Sequence, residues 1–292
     1  MVATRGEEMK FDKNGRLDTA GWVMSPNFYP AANSREIIVM HYTAGYTASS
    51  AINTFAVKTG KASAHFVVEV DGKITQMVSI NDRGWHAGCG LYESRPKVND
   101  FSIGIEIVNP GYHFSDGSGG YLNWQRKPIK PALLKPFPGM TEAHEPWAGS
   151  SILFWPNYPE AQLSAVEALT RALIKAYPSI RDVVGHRDVD TVRRLKVDPG
   201  PAFPMRRFRL LLDQRSDDAP QLMTMKVVAD DGVLNVRGGP GTAFATLSWG
   251  PLKNGDQVQV LERVGEWYLV QRWLSGVAKQ GWVYARYLGS TE

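Results

Sequence analysis

The apolar pattern of this 292-residue chain changes period at one place, and that break constrains the fold more than any single residue does. Up to Asp213, short β-branched runs alternate with segments of helical period. Residues 37–40 (IIVM) read as a buried strand. Residues 48–55 read as a helix with Thr47 as its cap, and 66–70, Asp71-Gly72 and 73–78 read as a hairpin whose two turn residues take positive φ. Residues 102–108 read as a further strand. From Pro159 to Tyr177 the side chains of Leu163, Val166, Leu169, Leu173, Ile174 and Tyr177 share one helical face, with Pro178 as the stop. A last helix begins near Pro204 and turns Phe208, Leu211 and Leu212 inward. The sum is an α/β unit, a central mixed sheet flanked by helices. Residues 214–223 are polar, contain Pro220 and lack apolar period, which predicts a linker. Beyond them, short runs at 226–229, 257–262, 267–273 and 281–284 are separated by turn residues, the pattern of a small all-β barrel. The predicted domains are therefore 1–213 and 224–292, joined by 214–223. Within the first, residues 113–158 are rich in Gly, Pro and aromatics, and a stretch of that length is expected either to act as a lid or to cover the sheet.

Composition narrows the functional classes. The longest apolar runs fall far short of the ~20 residues a membrane helix needs, so no membrane insertion is expected. The one cysteine, Cys89, permits no internal disulfide and no thiolate cluster, which leaves nitrogen and oxygen as the ligands for any metal. A net charge of +4 without a long basic block argues against a nucleic-acid partner and is compatible with an anionic polymer. Glu7 and Glu8 stand where an export signal needs an apolar core, so no signal peptide is readable.

Three groups of residues carry candidate chemistry. Of six histidines, His41 and His186 each sit just past a buried run, where the ends of sheet strands meet; either alone is equally an edge residue satisfied by hydrogen bonds. In LKVDPGP, Lys196 and Asp198 project to one side of an extended stretch, as a site pair or as a surface ion pair. In SIGIEIV, the isoleucines take one face, and Ser102, Gly104 and Glu106 take the other, with Gly104 expected to clear space beside the carboxylate. Glu106 is then a general base with a raised pKa or an acid on a wet sheet face.

Taken together, HYTAG after a strand, SAHF before a hairpin, RGWHAG, NDFSIGIEI with NPG, and GHRD followed by KVDPGPAFP resemble the zinc-dependent N-acetylmuramoyl-L-alanine amidases of the type 2 family, which is related to peptidoglycan recognition proteins. The resemblance covers roughly residues 22–212. It implies one zinc per chain, held by His41, His186 and Asp198, with Glu106 as general base and Lys196 as the cation that stabilises the oxyanion. It implies peptidoglycan or muropeptides as partner and places Trp85 and His86 against substrate, with His65 as a structural residue. A recognition protein without turnover is the alternative; the presence of all five site residues speaks against it. VLNVRGGPGT (233–242) resembles the opening of bacterial SH3-like barrels, whose aromatic residues here either fill the core or bind wall. The resemblance, with no readable signal, implies synthesis in the cytoplasm and action on the wall after release, or in cytoplasmic recycling.

Overall fold

Three parallel strands, Ile37–Tyr42, Ser102–Ile107 and Asp182–Gly185, set the frame of the first unit. All three are dominated by β-branched residues buried on both faces, as parallel strands require. The full sheet runs in the order Gly21–Trp22, Ile74–Gln76, Phe66–Val68, Ser102–Ile107, Ile37–Tyr42, Asp182–Gly185, and the antiparallel pairing of Ile74–Gln76 with Phe66–Val68 makes it mixed. This computed structural model describes residues 9–145, 148, 151–191, 195–213, 224–242, 244–274 and 277–290. The chain divides into two units, Met1–Arg215 and Ser216–Glu292. The predicted linker, 214–223, lies outside the described residues.

The period of two along each strand sorts side chains onto two faces. Ile38, Met40, Ile103, Ile105, Ile107 and Val183 pack against Leu163, Val166, Leu169 and Leu173 of helix Glu160–Ala176 and against Phe208 and Leu211 of helix Met205–Asp213. Each such fully buried side chain contributes roughly 1.5–3 kcal/mol. Ile37, Val39 and Val184 turn the other way, onto Ala87, Val98, Phe101 and Val189. His41, Ser102, Gly104 and Glu106 belong to this second face, opposite the two helices Glu160–Ala176 and Met205–Asp213.

Two local expectations are corrected. Thr47 precedes helix Ala48–Phe55 without capping it through its side chain; its hydroxyl pairs with Ser49 Oγ (2.9 Å), and the Ala48 N–H donates instead to Glu69 Oε2 (2.7 Å). The Asp71-Gly72 turn needs one positive φ, at Gly72 (+88°), because the Gly72 N–H closes back on the Glu69 carbonyl (2.9 Å) and Glu69 pairs with Lys73 (2.9 Å). The stretch 113–158 is built rather than bare. It holds two antiparallel pairs, Phe114–Ser115 with Tyr121–Leu122 and Met140–His144 with Ile152–Pro156, over a small core of Phe114, Leu153 and Trp155.

The second unit is a five-stranded antiparallel sheet in the order Val277–Tyr284, Trp267–Leu274, Gln257–Val264, Thr224–Val227, Leu288–Ser290. Val227, Leu234, Val236, Leu252, Val258, Val270 and Val283 form its core. Among the described residues, no helix of either unit is long and apolar enough to cross a membrane.

Candidate functional site

The parallel register brings the site together before any side chain is considered. His41 pairs with Glu106 across the central strands, and Gly185 pairs with Met40, so His186, the next residue, arrives beside His41. All three lie at the carboxyl ends of parallel strands, where open α/β sheets place their sites. Asp198 reaches the same point from the stretch 195–198, where it sits in a turn. Asp190, buried at the end of the short helix His186–Val189, anchors that stretch by accepting the N–H groups of Leu195 (2.9 Å) and Lys196 (3.0 Å).

His41 Nδ1, His186 Nδ1 and Asp198 Oδ2 form a triangle with edges of 3.0, 3.1 and 3.0 Å. All three residues are buried. Burial and the neighbouring His186 hold His41 down at about 4, so it is neutral at physiological pH. Burial alone would push the Asp198 carboxyl up, but the neighbouring His186 and His41 rings hold it well below the usual carboxylate range. Two imidazoles and one carboxylate thus converge on one point, and among the described residues this is the group of His, Cys, Asp and Glu side chains suited to holding a metal ion.

Around this point lies a cleft of about 590 Å³, lined among others by Tyr42, Trp85, Glu106, Tyr112, Trp124 and Lys196. Glu106 Oε2 is enclosed there with no hydrogen-bond partner among the described residues. Burial, reinforced by the Asp198 carboxylate, pushes the Glu106 pKa well above the ordinary value, and Lys196 opposes that rise. A carboxylate with a raised pKa is a stronger base.

Each of the seven predicted site residues lines this cleft: His41, Trp85, His86, Glu106, His186, Lys196 and Asp198. Trp85 packs on Tyr29 at 5.2 Å between ring centroids. His86 presents an edge to the cleft, but its ring nitrogens are engaged elsewhere: Nδ1 lies 3.0 Å from His41 Nε2, and Nε2 lies 3.1 Å from Ser102 Oγ. Gly104 makes room for the His86 ring rather than for Glu106, since a Cβ there would lie 2.5 Å from that ring. His65 accepts the Gly104 N–H at Nδ1 (3.0 Å) and lies 3.1 Å from the Asp82 carbonyl through Nε2.

Sequence reasoning missed Tyr42, Tyr112, Trp124 and Asp190. Trp124, 57% exposed, comes from the 113–158 stretch, whose aromatic richness was the available signal. That stretch is tied to the end of strand Asp182–Gly185 by Arg187, which donates to both oxygens of the buried Glu145 (3.1 and 3.0 Å).

This chain is similar to several known amidases. AmpD of Escherichia coli, a 1,6-anhydro-N-acetylmuramyl-L-alanine amidase, is 33% identical over 157 residues, covering 53% of this chain and 61% of that protein. AmpD of Haemophilus influenzae is 28% identical over 222 residues, 69% of this chain and 96% of the relative. The N-acetylmuramoyl-L-alanine amidase AmiD of Escherichia coli is 28% identical over 214 residues, 70% of this chain and 61% of the relative. The chain thus spans about three fifths of the length of the Escherichia coli proteins. A bacterial SH3 domain model matches residues 232–289, within the second unit. The N-acetylmuramoyl-L-alanine amidase model (Amidase_2) matches residues 32–201, more than half of the sequence and every strand that builds the cleft, and the chain belongs to that family.

Proposed function

We propose that the first unit is a zinc-dependent hydrolase that cleaves the amide joining the lactyl group of N-acetylmuramic acid to L-alanine. The observation that carries this reading is the convergence of His41, His186 and Asp198 beside the Glu106 carboxylate, whose enclosed Oε2 has no partner among the described residues. The donor set fits zinc: two imidazoles and one carboxylate are a usual catalytic ligand set, and three protein ligands leave a position open. When bound, zinc supplies a Lewis acid that polarises the amide carbonyl and acidifies water.

The chain's own residues supply the rest. Glu106 takes the proton from the attacking water as its oxygen bonds to the carbonyl carbon. The same carboxyl then gives that proton to the alanine nitrogen as the C–N bond breaks. The Lys196 ammonium faces the negative charge that collects on the carbonyl oxygen. Trp85, Tyr112 and Trp124 offer apolar walls to the sugar and the stem peptide. The names of AmpD and AmiD share the muramyl–L-alanine bond, which supports this bond as the target. The second unit is read as a wall-binding tether.

Mass spectrometry of a soluble muropeptide incubated with the zinc-loaded protein tests the assignment. The expected products are an intact muramyl sugar and a peptide with a free L-alanine amino terminus. Cleavage at a glycosidic or peptide bond, or no cleavage at all, would overturn it.

A further inference from the structure

Ser102 Oγ lies 2.6 Å from the Val98 carbonyl, and a carbonyl only accepts, so the serine proton is committed to Val98. The 3.1 Å bond between Ser102 Oγ and His86 Nε2 must then run from the ring to the hydroxyl, with the proton on Nε2. A neutral imidazole protonated at Nε2 is bare at Nδ1. The buried His86 ring faces the Ser102 hydroxyl and the His41 ring, with no carboxylate at either nitrogen among the described residues, and a buried cation without a counter-charge is costly, so the ring is neutral. Its bare Nδ1 stands 3.0 Å from His41 Nε2 and can only accept there, which puts a proton on His41 Nε2 and leaves His41 Nδ1 as a lone pair. That lone pair is the one aimed at His186 and Asp198.

We infer that Val98, Ser102 and His86 form a directional relay that fixes the tautomer and ring orientation of His41 as a metal ligand, and that His86 is therefore a positioning residue for the metal rather than a hydrogen-bonding contact for substrate. The inference rests on the proposed zinc reading and adds a role for residues that reading leaves unused. Every part of the relay is buried: His86 is 9% exposed, His41 1% and Ser102 0%. The surrounding fold is shaped to hold the ring. Gly104, two residues along the same strand face from Ser102, supplies the gap the ring fills. Asn99 Oδ1 accepts the backbone N–H groups of His86 (3.2 Å) and Ala87 (2.8 Å), which pins the turn carrying the ring. His186 differs: its Nε2 has no partner among the described residues, so His41 is the ligand whose outer nitrogen the protein controls. Outer partners of this kind typically change metal affinity by about 10–100-fold when removed.

The test compares zinc affinity, by competition with a chromophoric chelator, in the full chain and in His86→Leu and His86→Asn. Leucine keeps bulk and loses the acceptor; asparagine places an amide oxygen near the Nδ1 position. The expected result is zinc affinity lower by about 10–100-fold in His86→Leu and largely restored in His86→Asn. Nitrogen-15 NMR of the histidine rings in the zinc-loaded wild-type chain needs no variant and is expected to find both His41 and His86 protonated at Nε2. Unchanged affinity in a folded His86→Leu, equal losses in both variants, or His86 protonated at Nδ1 would overturn the relay while leaving the hydrolase reading in place. A wild-type chain that takes up no zinc would overturn both.

Discussion

The two units bury different things. In the first, eighteen of the described polar residues are buried among the apolar side chains, and among them His41, His65, His86, Ser102, His186 and Asp198 belong to the cleft or to the residues directly behind it. In the second, Gln271 is the buried polar residue among those described, and it pairs with Gln280 across the sheet (2.8 Å). Burying a polar or charged group costs free energy unless it is paired, so a fold retains such groups in one place only where something offsets them. The difference places the candidate chemistry in the first unit.

Substitutions can break or sharpen this contrast. The largest expected effect is that of Glu106→Gln, which removes proton transfer while keeping size and neighbours. Turnover of a soluble muropeptide should fall ~100-fold or more with zinc content unchanged. A rate close to wild type would move the base elsewhere. Lys196→Ala should lower turnover by about 100-fold, the lower end of the scale for losing one oxyanion donor. It also carries a pH signature. Glu106 must be ionised to accept a proton, and Lys196 holds its pKa down against burial and Asp198. Removing that cation raises the Glu106 pKa, so the acid limb of the rate profile should move to higher pH. A limb that stays put or moves down would separate Lys196 from Glu106.

The smallest effect is expected from the second unit. Deleting residues 221–292 should leave hydrolysis of soluble muropeptides nearly unchanged, since the core that holds the cleft lies within the first unit. The same deletion should slow release from insoluble wall by about tenfold, because a tether acts by raising effective concentration. Equal loss on both substrates would erase the contrast between the units. No loss on either would remove the tether.

Much of this layout was legible in the residues. Strands 37–42 and 102–107 are marked by β-branching and by period two, and helix Glu160–Ala176 by its apolar spacing; Pro159 stands at its N-cap and Pro178 just beyond its end. The positions of His41, Glu106 and His186 followed from the strands that carry them. What the sequence could not show was distance in space. His86 and Ser102 are 16 residues apart, and their bond depends on Gly104 vacating the sheet face, which no local pattern encodes. Asp190 and Thr47 illustrate the same limit: a side chain's hydrogen-bond partner is chosen among groups that tertiary packing delivers, so Glu69 displaces Thr47 as the cap.

Zinc content measured together with activity tests the central claim most directly. The wild-type chain, stripped with a chelator and titrated with zinc, should regain hydrolysis in proportion to the metal bound and saturate at about one equivalent, the stoichiometry of a single three-ligand site. Asp198→Ala, which removes one corner of the 3.0 Å triangle, should lose tight binding and activity together. Full activity in the stripped chain, or an undiminished equivalent of tightly bound zinc in Asp198→Ala, would contradict the account.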